Sequence, residues 1–160
     1  MRLFAMGLAL ALSLAVSPVA ADAPIAGPAK QYDDFSSSAK SITDRFTHLV
    51  WDRPSVNPSY PSARNFAAAK ASCLNTTRLP SLKELLTLVD EAPHFEYEVN
   101  KTVSKAIDPN AFAKTPSDVG FWTSTPHPQG GFWTVSFADG STGQASPGDA
   151  RYVRCVEYVP

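Results

Sequence analysis

The chain has 160 residues, which is enough for one domain of ordinary size. Its 14 Lys and Arg against 15 Asp and Glu give a formal net charge of -1 at pH 7. Because there is no excess of basic residues, nucleic acid and anionic membranes are excluded as favoured partners.

The first residues have the pattern of an export signal. Arg2 supplies a positive charge, Leu3–Val16 is apolar, and Val19–Ala20–Ala21 fits the small-residue rule for cleavage. We therefore interpret residues 1–21 as a signal peptide, with an uncleaved N-terminal anchor as the alternative. No later stretch is apolar enough to insert in a membrane after cleavage, so the mature protein is expected in the periplasm, or secreted to the cell surface.

Residues 22–41 are rich in Ala, Pro, Ser and Lys, and we interpret them as a flexible lead-in to a domain at residues 42–160. Phe46–Trp51 is rich in strand-forming residues and lies between two turn signals, so it is predicted as the first strand. A helix capped by Ser59 or Ser62 is predicted to follow, because an alanine-rich segment with helical spacing comes next.

A second helix is predicted over Leu82–Asp90, ending before Pro93. Ser81 and Glu84 have the spacing of a capping box, in which each side chain accepts the main-chain amide of the other residue. Four apolar residues then recur at helical spacing and form one stripe: Leu82, Leu85, Leu86 and Val89.

The C-terminal part of the chain changes to a period of two residues. Phe121–Thr125, the alternating stretch Trp133–Phe137 and Tyr152–Val159 are predicted strands, and Asp139–Gly140 is a predicted hairpin turn. Together with the two helices, this order predicts an α+β protein in which the helices pack on a small antiparallel sheet. The first and last strands are expected to be neighbours.

Cys73, in the last turn of the first predicted helix, and Cys155, in the last predicted strand, are the two cysteines of the chain. In an exported protein an even pair favours one disulfide, with two buried thiols as the alternative. In the chain-entropy model a disulfide across so long a loop stabilises the protein by about 4–5 kcal/mol.

Several stretches of the sequence occur together in a known bacterial family. They are Arg78–Leu85, Trp122–Pro126 and Tyr152–Val156, with Leu49–Trp51, Cys73, Ile107–Asp108, Phe112, Phe132–Phe137 and Gly140 as further positions. As a set they resemble the Lcl C-terminal domain family, which is found at the C-terminus of bacterial collagen-like adhesins and in bacterial envelope proteins. The resemblance covers about Ile42–Val159.

The resemblance implies a C-type lectin-like fold with a long variable loop at about Pro93–Gly120. It also implies that Cys73 on the helix pairs with Cys155 on the last strand. The chain departs from calcium-dependent lectins, because Trp133–Thr134–Val135 stands where their calcium ligands would lie. We therefore expect no cofactor, with calcium as the less favoured alternative.

Aromatic and polar residues of the C-terminal strands and loops form the candidate ligand-binding set. Its members are Trp122, His127, Gln129, Trp133, Asp149 and Arg151. Neighbouring residues of a strand point to opposite faces, so one of Phe121 and Trp122, and one of Phe132 and Trp133, points away from the core. The alternative is that both faces are covered and all four aromatic residues are core.

The sequence favours a non-enzymatic binding domain that recognises a glycan or a protein at the bacterial envelope. No serine lies in a Gly-x-Ser-x-Gly elbow, and the histidines do not have metal-ligand spacing. An envelope enzyme or accessory subunit is the alternative, and it requires Asp108, His127, Asp149 and Arg151 to meet in one pocket. A structural partner in an envelope complex is a third possibility.

Overall fold

The computed structural model describes residues 31–32, 40–53, 63–91, 93–98 and 100–158. The predicted signal peptide and the helix caps predicted at Ser59 and Ser62 lie outside these ranges. Within them, no helix is long and apolar enough to cross a membrane.

Eight strands and two short helices make up the regular structure of the described residues. In chain order they are β1 (Ser41–Asp44), β2 (Leu49–Asp52), α1 (Phe66–Ser72), α2 (Leu82–Leu86), β3 (His94–Glu98), β4 (Lys101–Lys105), β5 (Phe121–Pro126), β6 (Phe132–Val135), β7 (Thr142–Ala145) and β8 (Val156–Tyr158). The strands form three antiparallel sheets, in the orders β1-β2-β8, β3-β4 and β5-β6-β7.

The predicted α+β class with a C-type lectin-like fold is wrong, because the structure is mostly β. The two helices have only seven and five residues, and three small sheets replace the single sheet that was expected to carry them. Asn65 caps α1 by accepting the amide of Ala68, so the helix begins only at Phe66.

The second helix is shorter than the predicted segment Leu82–Asp90. After Leu86 the amides of Thr87, Leu88 and Val89 each donate to the carbonyl three residues earlier, so the α-helical ladder gives way to tight turns. Leu88 is nevertheless buried, and Val89 packs against the core. The apolar stripe therefore packs against the core, although its last residues are not α-helical.

A hairpin that the sequence analysis missed contains the first predicted strand. Oδ1 of Asp44 accepts the amides of Phe46 at 2.9 Å and Thr47 at 3.2 Å, and His48 has a φ of 58°. These contacts turn the chain over residues 45–48. The predicted strand Phe46–Trp51 is therefore shortened to β2, and β1 comes from the boundary of the predicted lead-in.

The predicted long loop at Pro93–Gly120 contains a second missed hairpin. β3 and β4 pair from His94 with Lys105 to Glu98 with Lys101, and Asn100 in the turn has a φ of 66°. The sequence does not show a buried apolar face in this hairpin, because its two aromatic residues, Phe95 and Tyr97, point to solvent.

Other local predictions are confirmed. β5 covers the predicted strand at Phe121–Thr125, and β2 pairs with β8, so the first and last predicted strands are neighbours. Gly140 has a φ of 76° in the turn between β6 and β7, where the Asp139–Gly140 turn was predicted. The closing strand, however, covers only the residues of β8.

Two clusters of buried side chains form the core. The larger one combines Tyr32, Ile42, Leu49, Trp51, Leu85, Leu88, Ile107, Ala111, Phe112, Phe121, Val135, Phe137 and Val156. Tyr32 comes from the predicted lead-in, and its ring meets that of Phe112 edge-on at 5.3 Å between centroids. The smaller cluster contains Ala69, Leu79, Trp122 and Ala145.

Two buried cations meet at Thr115. Nζ of Lys105, at the end of β4, donates to the Thr115 carbonyl at 2.6 Å, and Nη2 of Arg154 donates to the Thr115 hydroxyl at 3.0 Å. Arg154 also donates to the carbonyl of Asp52 and lies 4.5 Å above the centre of the Phe112 ring. The base of the β3–β4 hairpin is thereby joined to the segment that precedes β8.

The disulfide between Cys73 and Cys155 joins the end of α1 to that same segment, across 82 residues of sequence. The amide of Asp52 donates to the carbonyl of Cys155 at 3.1 Å, so the bonded segment is also fastened to β2.

Removing this disulfide is expected to lower the free energy of unfolding by about 4–5 kcal/mol, because the unfolded chain regains the entropy of an 82-residue loop. Urea unfolding of the oxidised wild type and of Cys73→Ser/Cys155→Ser measures the difference. Reductant should destabilise the wild type and leave the double variant unchanged. Equal stability of the two proteins would contradict the prediction.

Candidate functional site

The β5–β6–β7 sheet, its β5–β6 turn and the segment after β7 carry the candidate residues, and the segment before α2 binds the sheet. The Ser124 amide donates to the Pro80 carbonyl at 2.7 Å, and the Leu82 amide donates to Oγ1 of Thr125 at 2.9 Å. Thus the second half of β5 is held by the same turn that begins α2.

The predicted capping box at the start of α2 is confirmed. Oγ of Ser81 accepts the amide of Glu84, and a carboxylate oxygen of Glu84 accepts the amide of Ser81 at 2.7 Å. Both oxygens of Glu84 also bind the guanidinium of Arg78, at 2.7 and 2.8 Å. The hydrogen bonds from Arg78 and from Ser81 lower the pKa of Glu84 to about 2.

Acid is expected to weaken the fold through Glu84. Because its pKa is lower in the folded protein than in the unfolded chain, its contribution is complete above about pH 4.5 and is lost as the pH falls towards 2. Urea unfolding of wild type and Glu84→Gln between pH 7 and pH 2 tests this. The stability difference should shrink with acid, and a constant difference would contradict the prediction.

Trp122 belongs to the core. It is fully buried, and its indole N–H donates to the carbonyl of Arg64 at 2.7 Å. The ring of Phe66 meets it edge-on at 5.4 Å between centroids. Its neighbour Phe121 is also fully buried, so both faces of β5 are covered at this point.

Three of the other candidates lie together at one end of the sheet. The rings of His127 and Trp133 are 4.2 Å apart between centroids, and both residues are half-buried. Nδ1 of His127 accepts the amide of Gln129, which is exposed. The turn that carries them is fixed by Gln144, whose Nε2 donates to the Gly130 carbonyl at 2.7 Å.

The glycine at position 131 allows the β5–β6 turn to lie close against β7. Its φ is 69°, and a Cβ added there would collide with the carbonyl oxygen of Ala145. A side chain is therefore incompatible with the close approach of the two backbones.

Asp149 and Arg151 form a separate pair. Their carboxylate and guanidinium are 3.6 Å apart, and Oδ2 of Asp149 also accepts the amide of Ser146 at 2.9 Å. Among the described residues, no hydrogen bond, ion pair or ring contact joins this pair to His127 or Trp133. The six candidates therefore divide into a core residue, a cluster at the β5–β6 turn and an ion pair.

Arg151 lines an open groove that the sequence analysis missed. The groove encloses about 320 Å³, and its lining includes Asp118 and four residues with hydroxyl groups, Thr134, Ser136, Ser141 and Thr142. Thr134 lies between two glycines: a Cβ at Gly120 would be 3.2 Å from its Cβ, and one at Gly143 would be 3.4 Å from its Oγ1. Because both glycines lack a side chain, the floor of the groove beside Thr134 stays open.

The sequence signal for this groove is weak. Gly143 lies inside β7 and pairs with Thr134, and glycine within a strand is typical of a place where something approaches the backbone closely. Gly120 lies 23 positions before Gly143, and only the sheet brings both beside Thr134.

The residues required for an enzymatic pocket do not all line the groove. Of Asp108, His127, Asp149 and Arg151, only Arg151 lines the groove. Oδ1 of Asp108 accepts the amides of Asn110 and Ala111, at 2.7 and 3.0 Å, and so stabilises its own turn. The described residues contain no group of three or more His, Cys, Asp or Glu side chains placed to hold a metal ion.

Truncation of the two tryptophans is expected to have unequal effects on stability. Trp122→Ala should cost about 3–5 kcal/mol because it empties a core position, whereas Trp133→Ala at a half-buried position should cost less than about 2 kcal/mol. Urea unfolding of both variants measures the difference. Equal losses would contradict the assignment of Trp122 alone to the core.

A model of the Lcl C-terminal domain matches residues 40–157 of the chain, which is more than half of its length. The search of curated proteins and the search of solved structures each gave no match. The matched residues include the groove and every strand of the three sheets, apart from Tyr158 at the end of β8.

Proposed function

Because the chain belongs to the Lcl C-terminal domain family, we propose that it is an adhesin-like, non-enzymatic domain that binds a glycan. The observation that carries this proposal is the groove whose floor is opened by Gly120 and Gly143. We place the protein at the bacterial envelope, in the periplasm or on the cell surface, on the basis of its export pattern and its family.

The lining of the groove suits the hydroxyl groups of a sugar. Thr134 is 6% exposed, and its hydroxyl makes no hydrogen bond to any residue that the structure describes. Ser141 and Thr142 are exposed at its edge. These groups donate and accept hydrogen bonds, and a ligand rich in hydroxyl groups can satisfy both roles.

The charges around the groove favour an uncharged glycan over a sulfated one. Arg151 is the one cation among the described residues that line it, and Asp118 is an anion in the same lining. Asp149, 3.6 Å from Arg151, offsets the guanidinium charge further. A polyanion would gain little attraction here.

A protein ligand is the second candidate, and the half-buried ring pair of His127 and Trp133 favours it, since aromatic residues are enriched at protein interfaces. An enzyme or accessory subunit has less support, because Asp108, His127 and Asp149 each use a polar atom to hold their own turn. We propose no catalytic role, no cofactor and no metal for these residues.

Filling the groove is expected to abolish glycan binding. Gly143 has an ordinary φ and room for a Cβ, so Gly143→Leu should fold and place an isobutyl group beside Thr134. Gly148→Leu is the matched control, because a Cβ at Gly148 meets nothing within 4 Å and Gly148 does not line the groove. A glycan array of neutral and sulfated sugars provides the readout.

We expect neutral sugars to bind the wild type and Gly148→Leu, with at least a tenfold loss in Gly143→Leu. A folded wild type that binds no glycan beside a working lectin would overturn the glycan proposal. Equal binding by both leucine variants would place the site outside the groove.

A further inference from the structure

The two faces of the β3–β4 hairpin differ in chemistry. On one face Glu96 accepts from Lys105 at 3.1 Å and contacts the ring of His94 at 3.1 Å. The other face carries Phe95 and Tyr97, each 75% exposed, and no charge. Large aromatic side chains left this exposed on a single face mark a place of contact rather than a solvated surface.

Hydroxyl groups lie beside these two rings. Phe95 pairs with Ser104 and Tyr97 with Thr102, and directly paired residues of an antiparallel sheet point to the same face. Phe95 and Tyr97 are two residues apart, which places them about 7 Å apart along the strand. The face is therefore a row of two aromatic rings next to a row of two hydroxyl groups.

The aromatic face and the groove are both joined to the β6–β7 turn. Oγ of Ser104 donates to the carbonyl of Ala138 at 2.7 Å, and Ala138 lies in the turn between β6 and β7. Ser136 and Ser141, at the two ends of that turn, line the groove. The Ala106 amide donates to the Phe137 carbonyl at 2.7 Å, so the hairpin base is fastened to the same turn.

We propose that the face formed by Phe95, Tyr97, Thr102 and Ser104 is a second subsite for a neutral, linear polysaccharide whose first units occupy the groove. This inference rests on the proposed function of the groove. The apolar ring faces of successive sugar units stack on Phe95 and Tyr97. Their hydroxyl groups bind the Thr102 hydroxyl and donate to Oγ of Ser104, whose own proton is donated to Ala138. The shared β6–β7 turn favours this occupant, because a linear chain that crosses the turn can contact both the groove and the hairpin.

Another strand or a second copy of the protein would use the hairpin differently. Strand addition relies on the main-chain groups of an open edge, and it does not require the rings of Phe95 and Tyr97. Self-association through the rings would change the mass of the protein in solution without any glycan. Both alternatives are therefore separable from glycan stacking by experiment.

The test measures dissociation constants by calorimetry for neutral cello-, malto-, chito- and xylo-oligosaccharides, each as disaccharide and octasaccharide. The variants are Phe95→Ala/Tyr97→Ala, the groove variant Gly143→Leu, and Phe46→Ala as the matched control. Phe46 is 60% exposed in the β1–β2 turn and does not line the groove, so its removal controls for the loss of an exposed ring.

For the wild type and Phe46→Ala we expect the octasaccharide of the recognised series to bind at least tenfold more tightly than its disaccharide. Phe95→Ala/Tyr97→Ala should lose this gain and keep the disaccharide affinity, and Gly143→Leu should lose both. An unchanged gain in the hairpin variant would overturn the subsite alone. A concentration-dependent dimer that the hairpin variant abolishes would replace it with self-association, and no binding by the wild type would overturn the groove as well.

Discussion

The structure depends on the short turn at Arg78–Leu82, which is hydrogen-bonded on both of its sides. Arg78 exchanges two main-chain hydrogen bonds with Val156 at 2.9 Å, and Pro80 and Leu82 bind β5. The three sequence stretches that are typical of the family therefore meet at one place. A two-stranded hairpin is marginal by itself, and a three-stranded sheet needs a covered apolar face. This turn and its neighbouring disulfide hold the two three-stranded sheets to one core.

Side-chain hydrogen bonds fix the turns of this structure, whose helices are short and whose sheets are narrow. Asp44 shapes the β1–β2 turn, Asp108 shapes a turn before Phe112, and Thr115 receives both Lys105 and Arg154. Such contacts satisfy the polar backbone groups of a fold rich in turns. They also fix the base of the β3–β4 hairpin, so its exposed aromatic face is presented in a defined direction.

The candidate binding surface is created mainly by small residues. Gly120 and Gly143 flank Thr134 at the floor of the groove, and Gly131 lets the β5–β6 turn approach β7. The large aromatic side chains lie in two different environments: Trp122 is buried in the core, whereas Phe95 and Tyr97 face solvent. The proposed glycan path runs over the glycine-lined groove and onto the exposed rings, and the buried tryptophan supports the sheet beneath.

Signals that act over a few residues were sufficient to predict the Ser81–Glu84 capping box, the turn at Gly140 and the strand β5, because neighbours in sequence produce them. The sequence also identified the family, and it favoured a disulfide between its two cysteines. It could not determine where the helices end, which aromatic residues are buried, or that Gly120 and Gly143 flank Thr134. Those outcomes depend on which surfaces meet across the chain, and only the tertiary structure decides whether a strand face is covered or open.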